Sequence, residues 1–370
     1  MKLKLKNTEE QVELIRAMGS RDGQVSAEAS QAFAAFIGPV VQKVLLHAGS
    51  SGVLYSDLEY DEDDNPSIPL DLWYDQGVDH VQVWSQNIAG GLPTSEVTGL
   101  AEMKIATYRL DSAVSWLKRY ARKARLDIIS KAIERMSNEV LIKQERNAWA
   151  VLLKALAEAS TNSNKHVIAA GNANEFIPHD LNRLMTHIKR INTDFQGGTP
   201  DGLTAKGLTD LFMSPEMMQQ VRAFAYHAVN AQQGSANIGT GPITLPDNVR
   251  NDIWNSGGMA SLYGVTLHEL LELGTGKKYN TLFGTFTAAN SILGPSGSNF
   301  AQATEELMLG VDLSRESLVR PVAREHESGG TFTVLPDDQF VARAEKQGFY
   351  GYLEEGRVCL DSRALVGITV

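Results

Sequence analysis

The segment His268-Glu269-Leu270-Leu271-Glu272 comes nearest to a metal-hydrolase signature in this chain. The zinc-protease version needs two histidines at i and i+4 on one helix face, with the glutamate as general base. Here the second histidine position is Glu272, and the segment follows the strand-like run Leu262 to Leu267. A metal-dependent hydrolase using His268 and Glu269 is therefore a remote alternative. His179 and His187 flank Asp180 on an expected helix, but two helical turns separate them by ~12 Å, too far for one ion; they read as surface histidines. Asp57, Glu59, Asp61, Glu62, Asp63 and Asp64 form an acidic run. A calcium loop needs ligands at fixed offsets, a central glycine and a distal glutamate. This spacing differs, Pro66 follows, and a solvated acidic loop is expected. Cys359 is the single cysteine; it reads as a small buried hydrophobe in a strand. Gly197-Gly198-Thr199-Pro200-Asp201-Gly202 lacks the Lys-Ser/Thr pair of a phosphate cradle, and no G-x-S-x-G or G-x-G-x-x-G is present. The residues assign no catalytic, cofactor or metal position, and the expectation is a protein that is not an enzyme.

Composition narrows the class further. The chain has 370 residues, 43% hydrophobic and 21% charged, enough for a real core and too long for one ordinary core. A formal net charge of −10 argues against a basic face that grips nucleic acid. Low cysteine use fits a reducing compartment. The start Met1-Lys2-Leu3-Lys4-Leu5-Lys6 has no apolar run behind it, and no window approaches the ~18 apolar residues of a membrane span. The chain reads as soluble and intracellular at synthesis, with no membrane partner.

The elements that would carry any such residues are unusual in their layout. With 32 Gly and 12 Pro in 370 residues, the stretch from Leu100 to Ala170 should hold about eight of them, and holds none. Period-two alternation in Ile68, Leu70, Leu72 and Tyr74, and again in Met103, Ile105, Tyr108 and Leu110, flanks a Gly/Pro turn and predicts an extended β-hairpin. Such a hairpin needs a surface to lie on. From Asp127 to about Ala159, Ile129, Ile133, Met136 and Val140 recur at helical spacing. About 33 residues at 1.5 Å each give a rod of roughly 50 Å. Between hairpin and helix lies a basic segment, Trp116 to Arg125, read as a short helix with a solvated basic face or as a nucleic-acid or membrane contact.

The remaining segments are shorter. Thr8-Glu9-Glu10-Gln11 has capping-box spacing before a helix ending at Gly19. A helix over Ser26 to Ile37 is expected to stop at Gly38-Pro39, with a strand over Val40 to Leu46, making the first fifty residues an extended arm with little shared core. Further on, Thr209 to Met213 reads as a strand, Ser214-Pro215-Glu216 as a helix start, Val249 to Asn255 as a helix, and Leu262 to Leu267 as a strand. Gly274 to Ser298 reads as loops, Phe340 to Leu353 with Arg357 to Leu360 as a hairpin turning at Glu354-Glu355-Gly356, and Ala364 to Val370 as a final strand. The second half is an α+β domain.

This order of parts resembles the major capsid protein of tailed bacteriophages, the Hong Kong 97-type fold. Lys104-Ile105-Ala106-Thr107-Tyr108-Arg109 into Trp116-Leu117 and Asp127-Ile128-Ile129 looks like that family's return from the E-loop into its spine helix. Leu262-Tyr263-Gly264-Val265 looks like an A-domain strand. Glu345-Lys346-Gln347-Gly348-Phe349-Tyr350-Gly351 and Leu365-Val366-Gly367-Ile368 look like the closing strands. The resemblance implies an α+β chain divided into an N-terminal arm (1–50), an E-loop with flanking strand (51–112), a P-domain with spine helix (113–160), an A-domain (161–318), and P-domain return strands with a closing A-domain strand (319–370). It implies a shell subunit forming hexamers and pentamers around double-stranded DNA in a virion capsid assembled in the host cytoplasm. A separate scaffolding protein, a portal and decoration proteins would be its partners, and packaged DNA would be contacted non-specifically. Residues 61–103 contain no lysine, so the lysine-to-asparagine cross-link of some relatives is not expected. An encapsulin-like compartment subunit is the alternative within the same fold.

Overall fold

A computed structural model describes residues 8–47, 49–61, 64–69, 102–123, 126–161, 165–191, 207–224, 246–256, 261–287, 292–324, 332–337 and 345–370. In chain order the helices are α1 (Glu9–Met18), α2 (Gly23–His47), α3 (Ser51–Leu54), α4 (Lys118–Arg122), α5 (Leu126–Ala159), α6 (Pro178–Ile191), α7 (Pro215–Ala223), α8 (Asp247–Ser256) and α9 (Lys278–Thr287). The strands are β1 (Ser56–Asp61), β2 (Ser67–Pro69), β3 (Glu102–Lys104), β4 (Thr107–Leu117), β5 (Val167–Ala169), β6 (Asp210–Met213), β7 (Ser261–Leu262), β8 (Val265–Glu269), β9 (Leu307–Val311), β10 (Leu318–Arg324), β11 (Thr333–Asp337), β12 (Lys346–Gly356), β13 (Val358–Cys359) and β14 (Leu365–Thr369). Helix and sheet are mixed throughout, and the chain forms two units.

The first unit draws its described residues from 8–69, 102–148 and 318–358. Its sheet is organised by β12, which pairs antiparallel with β4 through every step from Lys346↔Leu117 to Gly356↔Thr107 and with β11 on its other edge. β10 joins β12 at Val322↔Glu355, and β1 runs parallel to β10 from Ser56↔Val319 to Asp61↔Arg324. Alternation along β12 buries Phe349, Leu353 and Glu355 on one face. Against that face pack Ile15 and Met18 of α1, Phe33 and Val41 of α2, and Ile129, Ile133, Met136 and Val140 of α5, the stripe legible in the sequence. Phe349 sits 5.5 Å from the Phe33 ring and 5.4 Å from Trp116.

Residues 8–47 depart from expectation. They are two helices sharing this core, not an extended arm, and α2 runs straight through Gly38-Pro39 with no strand after it. Proline removes one helical hydrogen bond. Phe33, Ile37 and Val41, four residues apart and all buried, hold the helix together across that gap. Thr8 caps α1 in position, but its side chain makes no capping hydrogen bond. Two other readings change here. Glu354-Glu355-Gly356 is not a turn, because Glu354, Glu355 and Gly356 all pair with β4 and extend β12. The acidic run begins as strand β1 rather than as a loop, since Arg320 and Arg324 on β10 hold Asp57 and Glu59.

The second unit includes residues 149–317 and 359–370 among those described. Its sheet runs β5-β14-β9-β6-β8-β7. β6, β9 and β14 are buried at every residue, as strands covered on both faces must be. Leu181, Leu184 and Ile188 of α6 and Met217 and Val221 of α7 pack with Leu211, Met213, Val366 and Ile368. Phe212 instead meets Trp149, which also stacks on Tyr279 of α9. Ser214 caps α7 as its type predicts, its hydroxyl accepting from the Met217 amide at 3.1 Å. The expected strand over Leu262 to Leu267 is a hairpin: Tyr263 and Gly264 have φ of 54° and 84°, the left-handed pair of a tight two-residue turn. The expected loops after Gly274 contain α9, because Tyr279 and Phe283, one turn apart, are both buried.

Candidate functional site

The sequence motifs disperse when folded. The segment from His268 to Glu272 is no helix: His268 and Glu269 end β8 and so project to opposite faces, and Glu272 lies in the following turn. His268 stacks on Phe212 at 4.7 Å and binds Asp210 Oδ1 through Nε2 at 2.7 Å, while Glu269 pairs with Arg222 at 3.0 Å. Asp210 is a partner the sequence did not announce, since it becomes a neighbour only through the parallel β6–β8 pairing. Among the described residues no group of three His, Cys, Asp or Glu side chains could hold a metal ion. His187 Nε2 lies 2.5 Å from the Lys165 carbonyl, beside His166. His166 is buried and its Nδ1 lies 2.9 Å from the Leu365 carbonyl; burial lowers its pKa, and the nearby His187 lowers it further. The Cys359 thiol is pushed up to about 12 by burial and by Asp361, so it is a poor nucleophile near neutrality.

What the fold does assemble is a junction between the hairpin and the long helix. β2 and β3 pair antiparallel, Ser67↔Lys104, Ile68↔Met103 and Pro69↔Glu102, giving the base of the expected hairpin; residues 70–101, where the rest was expected, lie outside the described residues. Ile68 and Ile105 are buried at this base, and the Ile105 amide donates to the Pro66 carbonyl at 3.0 Å. From there β4 continues to Leu117, α4 follows over Lys118–Arg122, and α5 begins at Leu126. The basic segment is thus a short helix carrying exposed Arg119, Arg122 and Lys123, with Lys118 buried.

A buried polar network ties these parts together. Glu355, fully buried, accepts from Tyr108 Oη at 2.9 Å and from Gln144 Nε2 of α5 at 3.1 Å. Arg357 reaches Oε2, the oxygen that Gln144 also uses, at 3.4 Å and lies over the Tyr55 ring, 4.8 Å from its centroid. Arg320 stands 4.0 Å from Glu355 and binds Asp57 of β1 with two hydrogen bonds, 2.6 and 2.5 Å. Burial, then the Glu355 charge, raise the Tyr108 phenol to about 12. Glu145 of α5 binds Ser50 and Ser51 at the start of α3, and Tyr55 donates to the Ala148 carbonyl at 2.9 Å. On the opposite face of the sheet Arg109 lies over the Tyr352 ring at 3.9 Å and binds Asp111, which also accepts from Tyr350. The chemistry on offer is mechanical: charge-assisted bonds and ring contacts that fix strand to strand and strand to helix.

No family model matches the chain, and no curated protein matches it in sequence. Similar solved structures do exist. The capsid structure of the Cyanophage P-SCSP1u has a TM-score of 0.48 at 12% identity over 85% of this chain and 86% of its own. The similar structures include the acid-stable capsid of Helicobacter pylori bacteriophage KHP30, with a TM-score of 0.43 at 11% identity over 85% of this chain and 87% of that one. A structure from Microbacterium phage Oxtober96 has a TM-score of 0.47 at 11% identity, covering 87% of this chain and 90% of that one. An encapsulin complex from Synechococcus elongatus is also similar, with a TM-score of 0.40 at 13% identity over 73% of this chain and 75% of that one.

Proposed function

We propose that this chain is the major capsid protein of a tailed phage with the Hong Kong 97-type fold. Its copies join into hexamers and pentamers and close an icosahedral shell around double-stranded DNA. The observation that carries the reading is the junction just described. A hairpin base is bonded through β4 and the Glu355 network to a 34-residue helix, with no glycine or proline between. That construction serves a subunit that must transmit load from an arm lying on a neighbour to its own body. A closed shell repeats one heterologous contact, and a hairpin laid on the next copy supplies it. An acidic chain of net charge −10 lets packaged DNA slide rather than adhere. A separate scaffolding protein, a portal and decoration proteins are the partners this role calls for, and the capsid of the virion, assembled in the host cytoplasm, is its place.

Deleting Ser85 to Gly99 tests the reading. Folded subunits that no longer form particles by negative-stain electron microscopy are the expected result. Particles of normal size and yield would remove the hairpin from the mechanism. Expressed particles that carry a protein cargo and no portal would instead assign the shell to an encapsulin-like compartment.

A further inference from the structure

The two ends of the first unit's sheet carry opposite charge, and the strand register sets how far apart they lie. Asp61 pairs with Arg324 on β10. Val322 of β10 is level with Glu355, and Glu355 with Tyr108 of β4. Asp61 is therefore level with about Leu110, and the basic helix α4 begins after Leu117. Seven residues at ~3.3 Å give about 23 Å along the strands, and three inter-strand steps of ~4.8 Å add about 14 Å across them. This exceeds two Debye lengths of ~8 Å at physiological salt. The groups cannot pair within one copy.

Each end is also unanswered locally. Asp57 and Glu59 are taken up by Arg320 and Arg324, whereas Asp61 and Asp64, both exposed, have no ion partner among the described residues. Arg324, opposite Asp61 in register, is engaged with Glu59 at 3.6 Å, and Lys104 at the hairpin base is opposite Ser67. β1 has one ladder partner among the described residues, so its outer edge is open there. At the other end Arg119, Arg122 and Lys123 are exposed and none is in an ion pair among the described residues; Arg122 donates to the Gly19 carbonyl at 2.9 Å. Lys346 adds a positive charge beside Leu117, and Glu345 subtracts one.

We infer that α4 of one copy docks on the acidic outer edge of β1 of a second copy, Arg119 and Lys123 facing Asp61 and Asp64, in a head-to-tail contact. This rests on the shell reading and names one of its contacts. A single patch joined to a different patch on the next copy is heterologous and propagates, which a closed ring requires and a two-fold pair does not supply. Charge complementarity at such a rim acts on register and on-rate, so assembly slows as salt rises.

Two measurements test it. Arg119→Glu with Lys123→Glu, and separately Asp61→Lys with Asp64→Lys, should each lower particle yield by about tenfold or more, since like charges then face each other. The four changes combined in one chain should restore the yield. Normal yields from either pair, or no restoration in a combined variant with native circular dichroism, overturns the contact. If the arginine and lysine changes leave yield intact and only reduce retained DNA, the partner of α4 is DNA and the inference fails. In a Cys359→Ser background, Asp61→Cys with Lys123→Cys should give a ladder of disulfide-linked multimers on oxidation. A bond within one copy is excluded by distance, because a disulfide needs Cα atoms within ~7 Å. A ladder without particles keeps the contact and defeats the shell; particles without a ladder do the reverse.

Discussion

Glu355 is a carboxylate fully removed from water that touches Tyr108, Gln144, Arg357 and Arg320. Removing one partner of such a set leaves buried positive charge uncompensated. Glu355→Ala is expected to cost about 3–5 kcal/mol in urea denaturation, whereas Glu345→Ala, at an exposed position, should stay within about 0.5 kcal/mol. Equal small effects would mean that the network is not a stabilising lock. His166 gives a pH dependence. Burial lowers its folded-state pKa below the ~6.5 of an unfolded histidine. Below that pH the unfolded chain binds a proton that the folded chain refuses, so stability is present above ~6.5 and is lost as pH falls. Urea midpoints measured from pH 7 down to 5 should fall with a slope that His166→Gln reduces; an equal slope in both proteins would refute the assignment. Neither residue was legible as a site. Glu355 looked like part of a turn, and His166 stood outside every motif, because Tyr108 and Gln144 lie 247 and 211 residues from Glu355 and Leu365 lies 199 from His166, separations no local pattern records.

Among the elements, those whose own residues decide their form were legible. α5 was read from the stripe Ile129, Ile133, Met136, Val140, and the α7 cap from Ser214-Pro215-Glu216. β14 and the hairpin base followed from alternation and a final apolar run. The misses lie where a distant surface overrules a local signal: α2 crosses Pro39 because its buried face continues, and β12 runs through Glu354 and Glu355 to Gly356 because β4 pairs with all three. The same ladder predicts an intolerant glycine. A Cβ on Gly348 would lie 2.5 Å from the Val114 carbonyl oxygen of β4, a backbone atom that cannot step aside. Gly348→Ala should destabilise by about 1–3 kcal/mol. A Cβ on Gly23, at the start of α2, meets nothing within 4 Å, so Gly23→Ala should be neutral or stabilise by up to about 1 kcal/mol. Chemical denaturation of the two variants side by side decides it, and an unaffected Gly348→Ala would mean that the β4–β12 ladder yields.

For the molecule as a whole, the resemblance implies a boundary at 160/161, whereas the contacts divide the chain inside α5, between Ala148 and Trp149. A helix without glycine or proline at that point conceals the boundary, since nothing in the local residues marks where one core ends and the next begins. Each unit has its own core: Phe349 lies in the first, among Phe33, Trp116 and Met136, and Leu184 in the second, among Leu211, Met213 and Val366. Separate cores can melt as separate cooperative blocks, each lost with its own packing. Calorimetry should therefore resolve two transitions in the unassembled subunit. Phe349→Ala, at a cost of about 3–5 kcal/mol, should lower one of them, and Leu184→Ala, at about 2–5 kcal/mol, the other. If both variants shift a single shared transition, the unbroken helix couples the cores so tightly that the subunit melts as one block, and strain applied at the hairpin base would then reach the second unit directly.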